Sequence, residues 1–276
     1  MNLLNIIQEI EDIDPDFQEK TNPRRAAIKN MTSFGAKIAI SALPFALGGL
    51  FKKAYGQTTT DVGGVLNFAL TLEYLEYEFY KQAVASGVIP VGPALTAITK
   101  IRDHENAHVN FLRTAITSSG ATPITALTAA NFDFTAKGTF NDVFTNYDTL
   151  LAVANVFEDT GIRAYKGQAP NLMGTGSVLT AALNIHSVEA RHASHIRQMR
   201  KARGVNIKPW ITGANDTGVS AATNSYVGED LTIQAGVTIT NIDGVNGKIS
   251  TSAATESFDE PLTKEQVLEI VNPFFK

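Results

Sequence analysis

A repeated arrangement of glutamate and histidine is the feature of this 276-residue sequence that most constrains its fold. Two stretches each carry a glutamate, a Tyr-Lys dipeptide seven residues later, and a Glu-x-x-His motif 31 or 32 residues after the first glutamate. The residues are Glu73, Tyr80, Glu105 and His108 in the first stretch, and Glu158, Tyr165, Glu189 and His192 in the second. Because the chain has only five histidines, a chance duplication at matching offsets is hard to obtain, and two similar structural units are expected.

The spacing within each motif has a direct structural meaning. Residues three apart on a helix lie on one face, so each Glu-x-x-His can direct a carboxylate and an imidazole to the same point. Both motifs fall on apolar stripes, which predicts that the four glutamates are buried. Buried carboxylates are costly without compensation, and two divalent cations would cancel their charge. The sequence has no cysteine, so any metal must be held by oxygen and imidazole nitrogen. The predicted ligands are Glu73, Glu105, His108, Glu158, Glu189 and His192.

Four long segments show helical apolar spacing, and they surround these motifs. The approximate bounds of the segments are residues 61–86, 93–118, 140–168 and 177–203. Short loops join the first to the second and the third to the fourth, whereas a link of about 20 residues joins the two pairs. The sequence therefore predicts an all-α protein in which a four-helix bundle over residues 58–204 has one long crossover.

The remainder of the chain, residues 205–276, differs in composition. Alternating Thr and Val residues predict one or two short strands, with turns at Asp243-Gly244 and Asn246-Gly247. Thr263-x-x-Gln266 is a capping-box pattern that predicts a terminal helix. We interpret this region as an extension that packs on the bundle.

Residues 1–57 carry the pattern of an exported protein. Arg24 and Arg25 precede an apolar run over residues 38–51, and the small-residue stretch Ala-Tyr-Gly-Gln follows at 54–57. This order is typical of a twin-arginine export signal and predicts a periplasmic or otherwise exported protein. An uncleaved anchor is the alternative. The run of about 14 residues is shorter than the roughly 20 that a spanning helix needs, so no stable membrane span is expected after signal removal.

Four segments resemble the ferritin-like superfamily: "LNFALTLEYLEYEFYKQA", "DHENAHVNFL", "NVFEDTGIRAYKG" and "HSVEARHASHI". More narrowly, the chain resembles a group of exported bacterial ferritin-like domain proteins, some of them called desiccation-related. The resemblance implies that Glu105 and Glu189 bridge two metal ions and that Glu73 and Glu158 are terminal ligands. The export signal and the Thr-rich tail depart from the superfamily pattern. A monomer or a small oligomer such as a dimer is therefore as consistent with this sequence as a storage cage.

Two classes of function fit these features. The first is an exported di-iron or di-manganese oxidoreductase that uses O2 or H2O2 with Fe(II), with Glu105, Glu189, Tyr80 and Tyr165 closest to the chemistry. The alternative is a metal-binding or structural stress protein without turnover. A net charge of −4 gives no electrostatic reason to expect nucleic acid as a partner. Two further interpretations of the glutamate and histidine pattern involve neither function. The residues could form surface ion pairs, or they could be the remains of a site that no longer binds metal.

Other polar residues near the motifs are weaker candidates. Glu76 could be a ligand or a metal-access carboxylate, but an exposed helix charge is the preferred interpretation. Glu78 is predicted to be solvated. His186 and His195 could each support a ligand or be an extra ligand, although partly buried polar positions are favoured for both. Tyr80 and Tyr165 could hydrogen-bond opposing glutamates or transfer electrons, or be ordinary core aromatics.

Overall fold

The structure is a computed structural model that describes residues 61–245 and 247–276. The predicted export signal therefore lies outside the described residues. Within the described ranges, none of the helices has the length and apolar character needed to cross a membrane.

Four long helices form the body of the protein. They are α1 (Val62–Ala85), α2 (Pro93–Ser118), α3 (Tyr147–Gln168) and α4 (Ser177–Ala202). The closest neighbours are α1 with α2 and α3 with α4, as expected for two hairpins joined by short loops. The predicted all-α bundle with one long crossover is confirmed.

The starts of the helices follow ordinary capping chemistry. Asp61 caps α1, since its Oδ1 accepts a hydrogen bond of 2.8 Å from the backbone N–H of Gly64. The predicted start of α3 at residue 140 is wrong, because the helix begins at Tyr147. Asn146 has an extended backbone and its side chain accepts from the N–H of Asp148, so it ends the preceding turns and caps the helix. Apolar periodicity continues through those turns and concealed the boundary.

The crossover between the hairpins is held near its start and near its middle. The side-chain amide of Asn67 donates to the carbonyl of Thr122, and its oxygen accepts from the N–H of Ile124. Further along, Phe132 pairs with Phe275 in an isolated antiparallel bridge. The C-terminus of the chain thus holds the crossover, a contact that no sequence pattern predicted.

The C-terminal extension contains short elements. Four two-residue strands form two antiparallel hairpins, β1 (Ile233–Gln234) with β2 (Val237–Thr238) and β3 (Asp243–Gly244) with β4 (Gly247–Lys248). Asp243 and Gly244 are paired strand residues, so the turn predicted there is wrong. The other predicted turn includes Asn246, which lies outside the described residues.

The extension also contains two short α-helices, besides the 3-10 helices Ser220–Tyr226 and Asn272–Phe274. The two α-helices are α5 (Thr251–Thr255) and α6 (Lys264–Val271). The predicted capping box of α6 is confirmed, because Thr263 and Gln266 exchange side-chain to backbone hydrogen bonds.

The extension contacts the bundle through buried polar groups. Arg163 on α3 donates to the carbonyls of Ser225 and Val227, and its guanidinium lies 3.0 Å from the Glu229 carboxylate. Arg197 on α4 lies between Asp159 on α3 and Asp216 in the extension, 2.6 Å from the former and 3.0 Å from the latter. These contacts position α3 and α4, which carry half of the predicted ligands.

Candidate metal centre

All six predicted ligands lie in the middle of the bundle. Each hairpin provides one glutamate from its first helix and the Glu-x-x-His pair from its second. The four glutamate side chains are fully buried, and both histidines are almost so. The apolar stripes thus place charged groups in the interior, where they need a compensating partner.

The six side chains form two overlapping groups of four. In each group, one ligand atom per residue lies within 4.8 Å of all the others. The first group contains Glu73, Glu105, His108 and Glu189, and the second contains Glu105, Glu158, Glu189 and His192. Glu105 and Glu189 belong to both groups, so these two carboxylates lie between two neighbouring positions that could each hold a cation.

Each histidine points its Nδ1 atom at three carboxylates. The Nδ1 atom of His108 lies 3.2 Å from Glu73, 3.0 Å from Glu105 and 3.0 Å from Glu189. The Nδ1 atom of His192 lies 2.9 Å from Glu105, 3.4 Å from Glu158 and 3.1 Å from Glu189. One ring nitrogen has one proton or one lone pair and cannot satisfy three carboxylates. A cation among these atoms would satisfy all four groups.

Three carboxylate oxygens test whether the residues fit a metal pair. Oε1 of Glu105, Oε2 of Glu158 and Oε1 of Glu189 are buried and have no hydrogen-bond partner. Nδ1 atoms come close to all three, but without hydrogen-bond geometry. Buried polar atoms are rarely left without a partner, and the exceptions call for an explanation. Oxygen and imidazole donors suit iron, manganese or zinc, so the residues fit a pair of divalent ions.

Two tyrosines cross between the hairpins and hold the outer glutamates. The hydroxyl of Tyr80 on α1 donates to Glu158 on α3, and that of Tyr165 on α3 donates to Glu73 on α1, each at 2.5 Å. Both rings are buried. The exchange is symmetric and leaves the other oxygen of each glutamate directed at the centre.

A family comparison agrees with this geometry. The sequence model of the ferritin-like domain matches residues 61–202, just over half of the chain. The chain belongs to the ferritin-like domain family. A comparison with curated proteins finds no match. The matched range runs from the cap of α1 to the last residue of α4, so it contains every ligand-bearing helix of this ferritin-like protein.

Charges within the ferritin-like centre compensate one another before any metal binds. Burial lowers the pKa of both His108 and His192, but the adjacent carboxylates more than offset this effect and raise the pKa of each. Burial raises the pKa of Glu189, yet contacts with the two histidines lower it to about 2. Burial raises the pKa of Glu158 to about 7, despite the opposing effect of His192. Both imidazoles are therefore protonated at neutral pH, and metal must displace these protons.

A third histidine supports the site, and the sequence interpretation missed it. Nδ1 of His104 lies 2.9 Å from Nε2 of His192, the ring nitrogen that faces away from the carboxylates. Metal-binding histidines usually donate a hydrogen bond from their second ring nitrogen, which fixes the orientation of the ring. His104 precedes Glu105 directly, and its position on a different helix from His192 gave no sequence signal.

Several weaker candidates lie away from the centre. His195 is exposed, so the partly buried position favoured for it is wrong, whereas His186 is partly buried and donates from Nδ1 to the carbonyl of Ile162. Glu78 was expected to be solvated, and this is wrong: it is buried and paired with Lys81 at 3.0 Å, because the lysine covers it from the next turn.

Glu76 is buried beside the ligands of the ferritin-like centre, so its interpretation as an exposed charge is also wrong. Its carboxylate lies against Gly161 on α3, where a Cβ atom would come within 3.1 Å of Oε1. Burial is the main cause that raises the pKa of Glu76 well above its usual value, and the neighbouring glutamates add to it. A glycine opposite Glu76 provides space that the helical pattern of α1 could not reveal.

Proposed function

We propose that this ferritin-like protein is a di-metal oxidoreductase that reduces O2 or H2O2 with electrons from a bound pair of Fe(II) ions, or that uses a manganese pair in the same way. The observation that carries this proposal is the sharing of Glu105 and Glu189 by both four-residue groups. A pair of redox-active ions held by shared carboxylates can supply two electrons to one oxidant.

The residues divide into roles that follow from their positions. Glu105 and Glu189 would bridge the two ions, and Glu73 with His108 would complete one position. Glu158 and His192 would complete the other. Tyr80 and Tyr165 orient the outer glutamates through their hydrogen bonds, and their hydroxyls are close enough to exchange a proton with these carboxylates.

A surface groove leads from solvent to the two histidines behind the centre. The groove has a volume of about 1130 Å³, lies between α2 and α4, and reaches His104 and His192. Lys100 and Arg191 also line it. Cationic side chains disfavour a stream of incoming Fe(II), whereas neutral O2 and H2O2 are unaffected. We therefore favour consumption of the oxidant by resident ions, which an external electron donor would return to the reduced state, over mass uptake of iron through this groove.

A second function has its own observation in favour. Each of the four helices contributes at least one predicted ligand, so a bound pair of ions would link the whole bundle. Binding free energy would then stabilise the fold directly, as in structural metal sites. A metal-stabilised stress protein without turnover has the same ligands and differs only in reactivity.

The decisive experiment is metal analysis of the purified full chain, followed by measurement of O2 and H2O2 consumption after anaerobic Fe(II) loading. Two metal ions per chain and rapid consumption would support the oxidoreductase. Bound metal without consumption would support the stress protein. Fewer than one metal ion per chain after anaerobic loading would contradict both functions.

A double variant, Glu105→Ala with Glu189→Ala, tests the site itself. We expect it to lose metal binding and oxidant consumption, because both four-residue groups lose two members. The matched control is Glu265→Ala with Glu269→Ala, two exposed glutamates on α6. Oxidation of Fe(II) by the first double variant at the rate of the unmodified protein would refute the proposed site.

We further propose that the protein acts outside the cytoplasm. Arg24 and Arg25, with the apolar run that follows, support this location. A fusion of residues 1–60 to a reporter that is active only after export tests it. Export that is abolished by Arg24→Lys with Arg25→Lys is the expected result, and export that persists in this variant would contradict a twin-arginine route.

A further inference from the structure

An apolar cavity of about 350 Å³ lies inside the bundle, beyond the metal-binding residues. All four long helices line it, and buried residues such as Leu66, Leu112 and Ala182 form its walls. Protein interiors are close-packed, and voids larger than a water molecule are few. Small side chains, among them Ala69 and Ala164, leave this volume where larger residues would fill it.

One end of the cavity lies close to the metal centre. Leu72, Tyr165 and Ile185 line it there. Leu72 precedes Glu73, and Tyr165 donates its hydroxyl to the same glutamate. A molecule in the cavity would therefore contact the residues that orient one outer ligand.

The other end opens where the helix termini meet. Ser118 and Ser119 at the end of α2 and Ser177 at the start of α4 line the cavity there, and all three are exposed. From Ser177 to Ile185 the cavity extends for about 12 Å along α4, at about 1.5 Å per residue. The lining is mostly apolar, with the three serine hydroxyl groups at the mouth and the side-chain amide of the buried Gln168 as a further polar group.

The charge of the lining selects the type of ligand. Among the described residues that line the cavity, none is Lys, Arg, His, Asp or Glu. A carboxylate or ammonium head group would find no counter-charge at the mouth, whereas a hydroxyl could exchange hydrogen bonds with the serines. Apolar cavities of less than half this volume are dry and bind small hydrocarbons.

We infer that this cavity is a binding site for a small, elongated, uncharged amphiphile, such as a medium-chain alcohol. Its alkyl chain lies along the bundle axis with its end against Tyr165, and its hydroxyl lies at the serines. The inference concerns a ligand site that is separate from the metal positions, so it holds whether or not the proposed oxidation takes place.

Binding can be measured on the purified full chain with N-phenyl-naphthylamine, a fluorescent apolar probe, and its displacement by alkanols of increasing length. We expect displacement to strengthen about fourfold for each added methylene until the chain fills the cavity, and then to stop improving. Alkanoates of the same length should displace the probe more weakly. Absence of displaceable probe, or equal affinity for short and long alkanols, would overturn the inference.

Two variants locate the site. Ala115→Leu and Ala182→Leu fill the cavity from α2 and α4, and each should shorten the longest alkanol that still gains affinity. The matched control is Ala107→Leu, the same change at an exposed position of α2, which should bind like the unmodified protein. Unchanged binding in a folded Ala115→Leu protein would overturn the inference, and the alkanol series remains decisive if a variant fails to fold.

Discussion

The Nδ1 atom of His104 lies 2.9 Å from the Nε2 atom of His192, and the two rings are nearly coplanar, with an interplanar angle of 16° and centroids 5.2 Å apart. Burial, followed by the charge of His192, lowers the pKa of His104. A neutral His104 can accept the Nε2 proton of His192, which turns the Nδ1 atom of His192 towards the carboxylates. Two histidines from different helices thus have different roles. His192 contacts the predicted metal position, and His104 holds His192 from the opposite side.

Replacement of this supporting ring is the first prediction. His104→Ala should weaken metal binding about 10- to 100-fold, since His192 would lose the group that orients it. Anaerobic Co(II) titration, followed by visible absorption, measures the affinity. The control is His195→Ala, which removes an exposed imidazole from the same groove and should bind metal normally. Equal affinities in both variants would show that His104 has no such role.

The crossed tyrosines provide a second prediction. Tyr80→Phe and Tyr165→Phe each remove a hydrogen bond from a buried glutamate, at a cost of about 1–3 kcal/mol in the free energy of unfolding. Both should also slow Fe(II) oxidation, because the outer ligands lose their orientation. The matched control is Tyr74→Phe, another buried tyrosine of α1, whose hydroxyl contacts Arg113 and not a ligand. Stopped-flow oxidation that falls equally in all three variants would indicate a general effect on the bundle.

A third prediction concerns the place where the extension crosses α3. A Cβ atom at Gly167 would lie 1.9 Å from the carbonyl oxygen of Leu262. The backbone N–H of Leu262 donates a hydrogen bond to the carbonyl of Arg163, which holds the extension against α3. Gly→Ala within a helix normally stabilises it by about 0.5–1 kcal/mol. Here the clash should outweigh this gain, and Gly167→Ala should lower the free energy of unfolding of the protein by about 1–3 kcal/mol.

Chemical denaturation measures the free energy of unfolding of Gly167→Ala and of Gly161→Ala, a matched variant on the same helix. The Cβ atom at Gly161 would meet only the flexible end of Glu76, so this change should be milder. A stabilised Gly167→Ala protein would mean that the extension does not lie on α3 as described.

The buried ion pairs give a fourth prediction. Arg197→Ala leaves Asp159 as an uncompensated buried charge, and it should lower the free energy of unfolding by about 3–5 kcal/mol. Arg203→Ala breaks a partly exposed pair with Asp148 and should cost at most about 1 kcal/mol. Urea unfolding of both variants checks the difference. Similar losses in the two would show that burial of Arg197 has little energetic effect.

Competition between protons and metal gives the last prediction. The raised pKa of each histidine keeps its Nδ1 protonated at neutral pH, and the pKa of Glu158, raised to about 7 by burial, keeps part of that carboxyl protonated. Ligands must lose these protons, so metal affinity should rise with pH from about 6 to 8. Calorimetry in two buffers of different ionisation enthalpy would count the protons released. Affinity that is independent of pH would contradict this account.

The sequence was sufficient for the bundle and for the ligand set that the structure brings together. Four helices follow from apolar spacing, and the residue identities at three- and four-residue intervals place polar groups on a buried face. Duplication made the pattern specific. Glu73 and Glu158 each precede a Glu-x-x-His motif at nearly the same distance, so the two hairpins are predicted to place their glutamates and histidines in equivalent positions. Local chemistry was also sufficient for the cap at Thr263, since a cap depends on neighbouring residues alone.

Features that depend on contacts between distant segments had no sequence signal. The support of His192 by His104, the space that Gly161 gives to Glu76 and the pairing of Phe132 with Phe275 each join residues from separate elements. Periodicity indicates which face of a helix is buried, but not which neighbour covers it. Packing therefore decided the surroundings of the ligands, while the sequence by itself determined the helices and the residues that converge at their centre.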